Sequence, residues 1–87
     1  MKTTKEEFKL HFDGKNPVAI YSFSNNIGIV IYEIVNTPDG DIVYYMNHLG
    51  EPSKTNICCD VRDDEDIWYF NYFRHKICLN DCIRIQY

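Results

Sequence analysis

The chain has 87 residues, a formal net charge of −4 and 45% hydrophobic residues, including seven Tyr, five Phe and one Trp. This length reads as one domain over residues 1–87. The aromatic content excludes intrinsic disorder, which goes with few aromatic and β-branched residues. No apolar run approaches the ~20 residues of a membrane span, and the charged first twelve residues lack the apolar stretch of a signal peptide. A soluble, cytoplasmic domain with no membrane partner is therefore expected.

The N-terminus predicts a short helix over residues 4–13. Thr4 and Glu7 fit a capping box, with Thr4 as N-cap. Glu6 and Glu7 suit the positive end of the helix dipole. Phe8, His11 and Phe12 fall on one helical face, and Gly14 is a natural stop. Strands follow. The first is expected over residues 18–23, with Ser24, Asn25 and Asn26 as turn chemistry. The second runs over residues 27–35 and is apolar on both faces, which suits a central strand covered on each side. Pro38-Asp39-Gly40 reads as a hairpin loop, leading to a third strand over residues 41–48.

Gly50-Glu51-Pro52-Ser53 breaks the chain, and a fourth strand over residues 56–62 alternates Ile57, Cys59 and Val61 with Cys58, Asp60 and Arg62. Residues 67–74 carry conflicting signals. Four acids before them and Arg74, His75 and Lys76 at their end match a helix macrodipole. The run Ile-Trp-Tyr-Phe-Asn-Tyr-Phe has strand propensity and gathers on no single helical face. Strand is the preferred reading. A final short strand is expected over residues 82–86. Short connections favour antiparallel neighbours. The expected architecture is α+β, a short N-terminal helix packed on an antiparallel β-meander of five or six strands.

Charge is unevenly placed. Residues 39–66 hold eight acids against Lys54 and Arg62, a net −6, whereas residues 67–87 carry a net +2. Phosphate contacts are made by Lys and Arg clusters, so direct nucleic-acid binding is not expected. Within the acidic stretch, Asp60, Asp63, Asp64, Glu65 and Asp66 abut Trp68, Tyr69 and Tyr72. Aromatic residues are enriched in protein interfaces, and focused charge steers association. These eight residues form a candidate site for a basic protein surface, such as a nucleic-acid-binding groove. The competing reading places the aromatics in the core and the acids in a solvated turn.

Four cysteines leave three readings open. Plain reduced residues are the leading one, with no cofactor. A Cys78–Cys82 bridge is the second, without an oxidising compartment to support it. Zinc held by His75, Cys78, Cys82 and Cys59 is the third. Catalysis has little to build on. A Cys59–His48 pair across strands is the one nucleophile–base arrangement conceivable, so no enzyme is expected.

In length, acidity and Asn, Ile and Tyr richness, the whole chain resembles small phage-encoded inhibitors of host defence, the anti-CRISPR class. It is similar in kind to immunity proteins and antitoxins. The resemblance is one of physical type and transfers no functional residue. It implies a stoichiometric binder that blocks a nucleic-acid-handling enzyme.

Overall fold

A computed structural model describes residues 5–23 and 28–86. The expected N-cap Thr4, the turn Ser24-Asn25-Asn26 and Ile27 lie outside the described residues. Helix α1 (Lys5–His11) is followed by β1 (Ala19–Ser22), β2 (Gly28–Thr37), β3 (Gly40–Met46), β4 (Pro52–Arg62), β5 (Glu65–Tyr72), β6 (His75–Cys78) and β7 (Ile83–Arg84). A 3-10 turn, Leu79–Asp81, links β6 to β7. The strands form one antiparallel sheet in the order β6-β5-β4-β3-β2-β1-β7.

The α+β class and the antiparallel meander are thus as expected, but the described residues form seven strands rather than five or six. The extra strand is β6. The expected strand over residues 67–74 ends at Tyr72, and the chain reverses at Phe73-Arg74. Phe73 makes that turn at φ +54°, a backbone region that bulky side chains rarely enter. A turn without Gly, Asn or Pro leaves no mark in the sequence. The fourth strand also starts earlier than expected, at Pro52, which is tolerated as the first residue of a strand. The reversal before it is made by Asn47, whose Oδ1 accepts from the backbone N–H groups of Leu49 and Glu51, both at 2.9 Å.

The link between β6 and β7 forces the sheet to curl. In a flat seven-stranded sheet the two edge strands would lie ~29 Å apart, six spacings of ~4.8 Å. The five steps from Cys78 to Ile83 span at most ~18 Å even when extended. The inner face of the curl holds the core: Ala19, Ile29, Ile31, Val43, Tyr45, Ile57, Phe70, Tyr72 and Ile77.

Helix α1 packs on the outer face. Phe12 is 4% exposed and lies against Tyr32 and Tyr44, while the His11 ring stacks on Tyr44 at 3.7 Å. A bulge makes this possible. The β2–β3 register shifts between Ile31 and Glu33, so Tyr32 and Glu33 both face the helix. Glu33 Oε2 then accepts from Lys15 Nζ at 2.7 Å and from His11 Nδ1 at 2.8 Å. Lys54 Nζ reaches both oxygens of Glu7, at 2.8 and 2.7 Å. The expected covering of β2 on each side is met, with core on one face and helix on the other. Among the described residues, no helix is long and apolar enough to cross a membrane.

Candidate functional site

Strand β4 changes partners along its length. Residues 52–57 pair with β3, and residues 58–62 pair only with β5. Strand β5 in turn pairs with β6 only from Tyr69 onward. Residues 58–68 therefore form a two-stranded ribbon that runs beyond its neighbours on both sides. Among the described residues its backbone edges have no strand partner, a feature that proteins usually blunt with charge. Asp63 and Asp64 close it at φ 50° and φ 63°. Two central residues at positive φ are the mark of a type I′ hairpin turn, where Asn-Gly is favoured.

The ribbon carries Asp60, Asp63, Asp64, Glu65 and Asp66 against Arg62, a net −4. The chain as a whole is also −4, so the remainder is electrically balanced. Asp63, Asp64, Glu65 and Asp66 are all exposed. Asp60 Oδ2 lies 3.7 Å from Lys76 Nζ and 4.0 Å from Arg62 Nη2. These are loose, solvent-screened pairs of little energetic weight.

Alternation divides the eight expected binding residues between faces. Asp60, Glu65 and Tyr69 lie on the outer face, where Lys76 Nζ sits 4.1 Å over the Tyr69 ring. The carboxylate of Asp60 pushes the Tyr69 hydroxyl pKa up, with desolvation adding to it. Asp66 and Trp68 lie on the inner face with Cys59 and Val61. Trp68 is half-buried and packs on the core edge. Tyr72 stands apart from the set. It is 5% exposed, and its hydroxyl accepts from the His48 backbone N–H at 3.0 Å and pairs with His48 Nδ1. It is a core residue and not a surface anchor, because its even spacing from Phe70 places it on the inner face.

The zinc set does not assemble. His75 lies against Phe23 at 4.8 Å, Cys59 is out on the ribbon, and the Cys82 thiol points to the Cys78 carbonyl oxygen at 3.5 Å. Among the described residues, no three His, Cys, Asp or Glu side chains are placed to share a metal ion. All four cysteines are free thiols, so the Cys78–Cys82 bridge is not formed. Burial, then Asp81 and Cys78, push the Cys82 thiol up to about 11. The Cys59–His48 pair is not formed either, since His48 follows the far end of β3 and engages Tyr72.

One concave feature was not foreseen from sequence. A cleft of about 210 Å³ at the foot of the ribbon is lined by Ile34, Asn36, Asp41, Trp68 and Leu79. Ile34 and Asn36 reach it because the bulge reverses the parity of β2, setting them opposite Val43 and Asp41. Simple alternation from Ile29 and Ile31 would put both on the outer face. Comparison with known proteins found no matching family model, no matching curated protein and no matching solved structure.

Proposed function

We propose that this domain is a small protein-binding module that docks on a basic partner surface through the acidic β4–β5 ribbon. The observation that carries this reading is the concentration of the chain's net charge on one projecting hairpin. Focused charge of this kind raises association rates and fixes register. Free backbone edges on the same hairpin add donors and acceptors for a partner strand. The turn supports the reading as well. Asp63-Asp64 occupies a turn that Asn-Gly would close with less strain, and local choices that sacrifice stability gather at functional sites.

The resemblance to anti-CRISPR-type inhibitors extends the proposal. The partner is a nucleic-acid-handling protein, and the ribbon occupies the basic groove that would otherwise hold phosphates. Stoichiometric blocking, rather than catalysis, is the activity. The test is capture from a bacterial lysate with the wild-type domain and with the D63N/D64N/E65Q/D66N variant in parallel. A captured protein should be enriched at least ~10-fold by the wild type over the variant, more so at low salt. It should lose its nucleic-acid binding when the domain is added. Equal capture by the folded variant would remove the ribbon from the interface and this reading with it.

A further inference from the structure

The cleft at the foot of the ribbon has a chemistry of its own. Ile34, Leu79 and the half-buried Trp68 ring give it apolar walls, and Asn36 and Asp41 supply oxygen acceptors. No Lys or Arg lines it. The Asp41 carboxylate makes no hydrogen bond or ion pair with a described residue. The nearby cations, Arg62 on the ribbon and Lys76 on β6, belong to the outer face with Asp60.

The field around the cleft is negative. Cys59 lies directly across from Trp68. Its thiol pKa is pushed up by desolvation, and then by the carboxylates of Asp66, Asp60 and Asp41. An anionic occupant would meet the Asp41 carboxylate with no lining cation to offset it, and a purely apolar one would strand Asp41 without a partner.

A cation with an apolar stem satisfies every wall. Methylenes pack on apolar side chains while the head remains charged. A guanidinium stacks on an indole face and forks onto a carboxylate. An ammonium is more strongly hydrated and does neither as well. We infer that this cleft receives one arginine side chain of the basic partner, stacked on Trp68 and hydrogen-bonded to Asp41 and Asn36. The inference rests on the docking reading above and names the anchor of that interface. Ribbon charge would set the rate of encounter, and the seated arginine would set the lifetime of the complex.

Trp68 is the one tryptophan in the chain, so its fluorescence reports on the cleft without any partner present. The probes are acetyl-Gly-Xaa-Gly-amide peptides with arginine, lysine or citrulline at the centre, at constant ionic strength. The arginine peptide should give a saturable change. The lysine peptide should be at least ~5-fold weaker, and the uncharged citrulline peptide should not saturate. D41N should weaken the arginine titration by at least ~5-fold. The D63N/D64N/E65Q variant should stay within ~3-fold of wild type in 0.3 M salt, where remote charges are screened. Nuclear magnetic resonance of the wild-type protein provides a readout that needs no variant, with arginine-induced shifts expected at Asn36, Asp41 and the Trp68 indole N–H. Equal responses to arginine and citrulline, an unaltered D41N titration, or shifts elsewhere on the sheet would each overturn the inference. Loss of this titration leaves the lysate comparison intact, and failure of the lysate comparison leaves the titration intact.

Discussion

Glu33 is the lone acid between residues 16 and 38, and its surroundings set a measurable pH dependence. Partial burial alone would raise its carboxyl pKa. The hydrogen bonds and positive charge of Lys15 and His11 outweigh that and hold it below the usual 4.5. A carboxyl with a depressed folded-state pKa stabilises the fold above its unfolded value, and that contribution disappears as pH falls through the folded value. Wild-type stability should therefore drop below pH 4.5 more steeply than that of E33Q. At pH 7 the variant should be less stable by ~1 kcal/mol, the upper range for a partly exposed ion pair. Urea denaturation across pH 7 to 3 measures both. Parallel acid limbs would show that the contact contributes nothing to the fold. Gly28 sets a second constraint of this size. A Cβ there would stand 2.7 Å from the Tyr21 carbonyl oxygen, so G28A should cost ~1–3 kcal/mol by overpacking two paired strands, read in the same denaturation experiment.

Among the elements, three hairpin turns show three degrees of agreement between residue and conformation. Thr37-Pro38-Asp39-Gly40 suits its turn, with Gly40 at φ +121° where L side chains are disfavoured. Asp63-Asp64 tolerates its positive φ angles but does not favour them. Phe73 at φ +54° carries a bulky side chain, 80% exposed, where Asn or Gly would sit more easily. Replacing Asp63-Asp64 by Asn-Gly should stabilise the domain by ~1 kcal/mol, raising the thermal midpoint by ~4–8 °C. Removing two like charges from a crowded hairpin acts in the same direction. The same variant should associate more slowly with the captured partner. A lower midpoint would mean that the two aspartates make stabilising contacts of their own, which would weaken the argument that they are retained for charge.

At the scale of the whole molecule, the curl depends on its last described segment. Strand β7 pairs with β1 at Ala19↔Arg84 and Ile20↔Ile83, the Ile85 N–H donates to the Val18 carbonyl at 3.0 Å, and Cys82 packs against the core. A chain ending at Asp81 keeps the meander from β1 to β6 but loses this closure. Its stability should fall by on the order of 2 kcal/mol, from backbone bonds worth ~1 kcal/mol each and the uncovered Cys82 side chain. Exposure of Trp68 should accompany the loss, seen as a red shift of its emission in native buffer. Unchanged stability would mean that strand pairing within the meander holds the curl without its closing link.

The sequence by itself determined the class, most strands, the helix and the acidic stretch, because each rests on neighbours within a few residues. The helix face of Phe8, His11 and Phe12, the stop at Gly14 and the Pro38-Asp39-Gly40 hairpin are local preferences that tertiary packing did not override. Strand propensity in residues 67–72 prevailed over the flanking charges, since helix-dipole effects are worth ~1 kcal/mol or less and burying Phe70 and Tyr72 contributes ~1.5–3 kcal/mol per large side chain. Tertiary structure alone decided what lies off this local scale. The bulge at Tyr32 follows from having to place both Tyr32 and Glu33 under α1, and it carried Ile34 and Asn36 to the inner face. The Phe73 turn follows from the short return to β6. The cleft collects residues from β2, β3, β5 and the 3-10 turn, elements that meet only because the sheet curls, and no spacing along the chain encodes that meeting.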